Sequence, residues 1–235
     1  MKHKYTLGLV LGLLASASWA GPVEDGIRKA IEPRMGIPAE KIVKSPYAGL
    51  YEVDTARGLV YTDAKGSFLI FNGVFVDTKS GENLSQKREA ELGAFKFSDL
   101  PLADAVKTVY GNGSRVIATF EDPNCTYCRR LIPELEKLGN VTVYTFLYPV
   151  LGDDSVGKSK AIWCAADRAK AWHGFMGAGR PLPQKTDCAT PLDRNAALAR
   201  KLRIMGTPNI LFQSGERVPG LANAEQLAQK IAGAK

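Results

Sequence analysis

Two of the four cysteines in this chain, Cys125 and Cys128, stand in the run Phe120-Glu121-Asp122-Pro123-Asn124-Cys125-Thr126-Tyr127-Cys128-Arg129-Arg130. Thiols at this spacing can hold a metal, form a static bridge, or exchange with other disulfides. The surroundings favour exchange. A strand-like run ends near Glu121, a Pro-containing turn follows, and Cys125 opens a segment with Leu131, Leu135 and Leu138 at helical spacing. The thiolate is the nucleophile of thiol–disulfide exchange. A helix N-terminus offers unpaired N–H groups and the positive end of the macrodipole, and both favour a thiolate on Cys125. Cys128, one turn further on the same face, can attack a mixed disulfide held on Cys125. Arg129 and Arg130 either raise the local potential or simply solvate the helix.

The remaining composition excludes several other chemistries. A zinc ribbon wants a second C-x-x-C or a paired His, and this chain has one such pair and only His3 and His173. No metal and no cofactor is expected. A hydrolytic triad would rest on His173 alone. Hydrophobic residues make up 45% and charged residues 23%, an ordinary globular mix rather than a disordered one.

The first twenty residues are not expected to be part of the fold. Lys2 and Lys4 precede the apolar run Leu7–Leu14, and Ser18-Trp19-Ala20 supplies small residues before a cleavage point. A signal peptide over residues 1–20, cut after Ala20, is expected. Removing Lys2 and Lys4 leaves 29 basic residues against 24 acidic ones, a net charge of +5. The bases are scattered among acids at helical spacing, so a solvated face is expected and no nucleic-acid partner. An exported chain meets an oxidising compartment, where paired cysteines read as disulfides, structural or exchanging.

The elements that must position the cysteines can be read along the chain. Val23, Ile27, Ala30 and Ile31 predict a short amphipathic helix over residues 22–33, stopped by Pro33. Leu59–Thr62 and Phe68–Phe71 flank Asp63-Ala64-Lys65-Gly66 as a hairpin, and Val74–Val76 reads as a further short strand. So small a unit buries a thin core and gains from pairing with a second copy. Residues 81–93 are polar and helix-forming with almost no apolar face, as expected of a helix bridging two domains. From Arg115 the pattern is strand, helix, strand, helix, strand, strand, helix. It includes one long helix over Ser155–Met176, a helix over Leu192–Leu202, and a hairpin from Asn209 to Pro219. A final helix, Ala224–Ile231, starts with Asn223 and Gln226 placed as a capping box. Gly206-Thr207-Pro208 opens the strand at Asn209. Pro208 has no N–H to donate, and a cis bond there would turn the Thr207 backbone outward as a docking edge for an extended peptide.

Phe120 to Cys128, followed some eighty residues later by Gly206-Thr207-Pro208, resembles a thioredoxin-fold oxidoreductase. Adding the leader, the small strand domain, the polar linker, C-x-Tyr-C, and Ala161-Ile162-Trp163-Cys164 with Cys188, the chain resembles the bacterial periplasmic disulfide isomerases of the DsbC/DsbG type, and the DsbC group most. The resemblance implies a cystatin-like α+β dimerisation domain over residues 21–80, a helical linker over 81–95, and an α/β thioredoxin-like catalytic domain with a helical insertion over 96–235. It implies Cys125 as attacking and Cys128 as resolving thiol, Thr207 and Pro208 as the loop that receives substrate, and Cys164–Cys188 as a structural disulfide. The enclosed Gly/Pro-rich stretch has little core of its own, so a staple there is sensible, although a second redox pair is the competing reading. The implied partners are mis-oxidised exported proteins, a membrane thiol reductase of the DsbD type, and a second copy of the chain. Thr126 departs from the Gly common in DsbC-like sequences and bears on redox poise, and Pro133 predicts a kink. Two other functions fit the same residues. One is a thiol reductase or oxidase with narrower clients, favoured by a monomer. The other is a non-enzymatic binder, a holdase chaperone or metal carrier, favoured by activity that survives loss of both active cysteines.

Overall fold

In the computed structural model, residues 21–36, 38–47, 49–55 and 58–233 are described. The expected signal peptide, residues 1–20, lies outside them. The chain divides into two compact units, one ending at Gly73 and one beginning at Val74. The polar helix expected as a linker falls within the second unit.

In the first unit, helix α1 (Pro22–Met35) starts with Pro at N1 and carries Glu24 and Asp25 in its first turn, where the helix dipole favours acids. Ile27 and Ile31, one turn apart, are fully buried against Ala39, Ile42, Val53 and Val60. Those residues line an antiparallel sheet of β1 (Ala39–Lys44), β2 (Tyr51–Thr55), β3 (Gly58–Thr62) and β4 (Ile70–Phe71), in that order. Three expectations need correction. Pro33 does not stop the helix. It sits in the last turn, where it forfeits only its own bond to the Lys29 carbonyl, and Gly36 (φ 64°) closes the helix two residues after that turn's Arg34. Only Ile70 and Phe71 of the predicted strand Phe68–Phe71 pair with β3. Val74–Val76 is not a strand, since Val76 makes only an isolated bridge to Asn83. The hairpin turn is present, with Gly66 N–H bonded to the Asp63 carbonyl at 3.1 Å. A Cβ at Gly66 would lie 2.8 Å from that of Ala30, so this turn packs directly under α1.

In the second unit a five-stranded sheet runs β5 (Val106–Tyr110), β7 (Val141–Leu147), β6 (Arg115–Glu121), β8 (Asn209–Phe212), β9 (Arg217–Pro219). β6 and β7 are parallel, joined by the crossover helix α3 (Thr126–Leu138), and the other pairs are antiparallel. Alternation along β6 separates its side chains. Ile117 and Val143 face Leu131 and Leu135 of α3, together with Leu227 of α7 (Ala224–Ala232). Ala118, Phe120 and Phe146 face Ala199 of α6 (Leu192–Lys201) and Leu202. Phe120 and Phe146 stack with ring centroids 4.9 Å apart. The expected capping box at Asn223 and Gln226 is formed.

The long helix expected over Ser155–Met176 is two helices, α4 (Asp153–Trp163) and α5 (Arg168–Ala178). Cys164 ends the first, and the Asp167 side chain caps the second by accepting the Lys170 N–H. Arg168 covers the break, donating to the Trp163 carbonyl at 2.8 Å and stacking 3.7 Å from the Trp163 ring. A local cap and a side chain able to satisfy the freed carbonyl outweigh continuous periodicity. The polar helix is α2 (Leu84–Leu92) and buries no residue. It is held to this unit by an ion pair from Glu89 to Arg203 at 2.7 Å and by Arg217 donating to the Glu89 carbonyl at 3.2 Å.

Candidate active site

Cys125 is the N-cap of α3. Its Sγ accepts the Cys128 N–H at 3.3 Å, one of the N–H groups that a helix start leaves without a carbonyl partner. The same sulfur lies 3.3 Å from the Thr207 carbonyl oxygen, to which the thiol donates. Cys125 is 6% exposed and Cys128 is fully covered, so only the first presents an edge to solvent. Both carry free thiols. Burial pushes the Cys128 thiol far up, with further contributions from the charge of Glu121 and the hydrogen bond with Cys125. Cys128 is therefore held as a thiol.

A second set of residues shapes the loop that presents Cys125. The buried Asp122 carboxylate accepts from Asn124 N–H (2.7 Å), Val150 N–H (2.7 Å), Leu151 N–H (3.0 Å) and the Ser155 hydroxyl (2.7 Å). Its carbonyl takes the Cys125 N–H at 3.0 Å. Asn124 then bonds Asp154 and Ser155, and Lys158 closes on Asn124 at 2.7 Å. The start of α4 is thereby bound to the loop ahead of the redox helix. Arg129 is not a free cation beside the sulfurs. It donates to the Phe175 and Met176 carbonyls at 3.1 and 3.3 Å and stacks on Phe175. Arg130 stacks over Tyr127.

The other predicted site residues are placed as follows. The Thr207–Pro208 peptide bond is cis, and Pro208 opens β8 with its carbonyl accepting the Gly220 N–H at 2.8 Å. Cys164 and Cys188 form a disulfide with Cα atoms 5.7 Å apart. Around them, Trp163 donates its indole N–H to the Ala189 carbonyl at 3.1 Å. Among the described residues no cluster of His, Cys, Asp or Glu could hold a metal ion, and no helix is long and apolar enough to cross a membrane.

Comparison with known proteins decides the family. The Thioredoxin-like domain family matches residues 102–235, and the family described as Disulfide bond isomerase protein N-terminal domain matches residues 16–86. The "Probable thiol:disulfide interchange protein DsbC" of Bordetella pertussis is 41% identical over 217 residues, covering 92% of this chain and 77% of that protein. The chain belongs to the DsbC family of thiol:disulfide interchange proteins. The Escherichia coli DsbC is 27% identical over 94% of this chain and 93% of that protein. A crystal structure of a disulfide interchange protein from Neisseria gonorrhoeae, 36% identical, superposes with a TM-score of 0.54 over 57% of this chain and 98% of that one. As a DsbC-family member the chain carries its C-x-x-C at the helix start that the thioredoxin-like domain provides.

Two residues of this DsbC-type site were not singled out in the sequence. Asp122 is an acid in a Pro-containing turn, a type usually satisfied by local N–H groups, and nothing in the sequence tells that Val150, Leu151 and Ser155 come to meet it. Glu121 ends a strand whose last five residues are all buried, so no alternation in the sequence marks it as an acid that points inward.

Proposed function

We propose that this chain is a periplasmic enzyme that rearranges incorrect disulfides in exported proteins, acting as isomerase and reductase through Cys125 and Cys128. The observation that carries the reading is the setting of the Cys125 sulfur. It lies at a helix N-terminus against the Cys128 N–H, beside the Thr207 carbonyl. Cys125 attacks a client disulfide, one client sulfur leaves, and a mixed disulfide remains on Cys125. A free client thiol then displaces Cys125, leaving a rearranged client, or Cys128 does so, leaving a reduced client and a Cys125–Cys128 disulfide. The backbone at Thr207 and Pro208 receives the client as an extended segment, which reads no particular side chain and suits many clients. A membrane thiol reductase of the DsbD type returns the oxidised pair to the thiol state. Reduction state in cells tests the isomerase reading: Cys125 and Cys128 recovered as thiols after acid quenching support it, and recovery as a disulfide contradicts it.

The N-terminal unit, expected to span residues 21–80, pairs two copies. Its sheet has open edges at β1 and β4, and Phe68 and Phe71 are 47% and 58% exposed near the β4 edge. Deleting residues 21–80 is expected to give a monomer by sedimentation that still reduces a simple disulfide but isomerises a scrambled protein poorly. A full-length chain sedimenting as a monomer at micromolar concentration contradicts this assignment.

Cys164–Cys188 is a structural bridge. It spans a sequence separation of 24, and loop-closure entropy for such a loop is worth about 3–4 kcal/mol. Replacing both with Ser is expected to lower the unfolding free energy from denaturant titration by about 3–4 kcal/mol while exchange at Cys125 continues. Loss of exchange in a variant that remains folded contradicts the structural role.

A further inference from the structure

Helices α3 and α5 pack side by side, and between them lies an open cavity of about 610 Å³. Its buried lining is Ile132 and Met176, which belong to the same packed cluster as Cys125 and Cys128. Gly174 and Gly177, one turn apart on α5, line it as well. A Cβ on Gly177 would meet Ile132 at 3.6 Å, and one on Gly174 would meet the Arg180 stem at 3.5 Å. The two glycines therefore keep that side of α5 clear of side chains. Glycine is disfavoured within a helix, yet this short helix carries two, and both border the cavity.

The rim is basic. Arg129 and Arg130 of α3, Lys170 of α5 and Arg180 just beyond it face a single acid, Glu136. Among the described residues, none of these five side chains makes an ion pair. Arg129 is fixed in place, with one terminal nitrogen donating to the Phe175 and Met176 carbonyls and the guanidinium over the Phe175 ring. Its other nitrogens have no protein acceptor. Arg130 lies over the Tyr127 ring and, like Lys170 and Arg180, directs no side-chain hydrogen bond at the protein. The charge of Glu136 acts on Tyr110 and His173, at the end of the cavity nearest β5. His173 is bonded to Tyr110 at 2.7 Å and held toward its neutral form by burial, so it adds no charge. Four cations gathered on one rim repel one another, and their donors are unused.

We infer that this cavity is a binding site for a phosphoryl-type oxyanion carrying more than one negative charge. A guanidinium presents parallel N–H donors in a fork that matches two oxygens of one group. Three such forks and an ammonium exceed what a singly charged, two-oxygen carboxylate can engage. A group with several phosphoryl oxygens and at least two charges uses them. Because Arg129 is already held by carbonyls and a ring, less freedom is lost when an anion is gripped there. No step of the exchange reaction passes through Arg130, Lys170 or Arg180, so the site is separate from that chemistry. The same chemistry is offered by a free pyrophosphate-like ion and by the headgroup of a lipid with two phosphates, and the two are told apart by experiment.

The test is titration calorimetry of the full-length protein with inorganic pyrophosphate, in about 0.15 M sodium chloride so that diffuse surface charge is screened. Saturable binding of one ion per chain is expected. Arg130→Gln, Lys170→Gln and Arg180→Gln each remove one exposed charge from the rim and are each expected to weaken binding about tenfold. Lys107→Gln removes the same charge on the other face of the sheet, where Lys107 lies over Tyr144 on the α6 side, and is expected to leave binding unchanged. Cosedimentation with cardiolipin vesicles separates the two sources. Cosedimentation that the three rim variants abolish assigns the lipid headgroup, and pyrophosphate binding without cosedimentation assigns the free ion. Binding to neither overturns the inference in the unsubstituted protein alone. So does binding that Lys107→Gln weakens as much as the rim variants do, which would make net charge, not this cavity, the cause.

Discussion

Replacing Cys125 by Ser is expected to reduce exchange with a scrambled disulfide substrate to background, a loss on the order of a thousandfold or more, because the covalent intermediate can no longer form. The fold should be kept, since the hydroxyl can still accept the Cys128 N–H and donate to the Thr207 carbonyl, the two contacts the sulfur makes. Replacing Cys128 by Ser has a different signature. Cys125 still attacks, but the buried resolving thiol is gone, so mixed disulfides accumulate and can be isolated on a non-reducing gel. The two phenotypes follow from one asymmetry: Cys125 caps the helix and shows an edge to solvent, whereas Cys128 is fully covered. Mixed disulfides trapped on Cys128 in a Cys125→Ser variant would reverse the roles.

The second large effect is expected at Asp122. Its two carboxylate oxygens receive three backbone N–H groups and the Ser155 hydroxyl. Asp122→Ala would leave those donors buried or partly buried without an acceptor. A group of charge-assisted bonds of this kind is worth about 3–5 kcal/mol when one partner is removed. The loss should appear as a lowered denaturant midpoint, and also as slowed attack by Cys125, whose N–H is held by the Asp122 carbonyl at 3.0 Å. Asp122→Asn, which keeps one acceptor oxygen, should fall between. A Asp122→Ala protein as stable as the parent would show that solvent satisfies these donors and that the carboxylate is not what holds the loop.

Local signals carried much of the architecture. The pair Cys125 and Cys128, the turn before them and the leucines after them specify a strand, a helix start and one buried face within twenty residues, and all three are present. The capping box at Asn223 is similarly local. The strand Val106–Tyr110 leaves little trace in the sequence, although Val106 and Thr108 alternate with exposed Lys107 and Val109. Its partner is Val141–Leu147, thirty residues on, and pairing at that range leaves no mark beyond a weak alternation. The break between α4 and α5 is hidden in the sequence because Ile162, Ala165, Ala169 and Trp172 keep helical spacing across it. What interrupts the helix is a competing cap at Asp167 and the Arg168 side chain on Trp163. The clamp on Asp122 and the carboxyl of Glu121 were illegible for a different reason. Each is defined by what converges on it from other elements, and a sequence read along one strand does not contain that convergence.

The reading as a whole rests on Cys125 being the one strongly nucleophilic thiol. Competitive alkylation at mildly acidic pH of protein in which Cys125 and Cys128 are thiols and the Cys164–Cys188 disulfide is kept, with each site quantified by mass spectrometry, measures this directly. The expected result is labelling of Cys125 well ahead of Cys128, with Cys164 and Cys188 unlabelled as long as their disulfide is left intact. Labelling of Cys128 ahead of Cys125 would contradict the account.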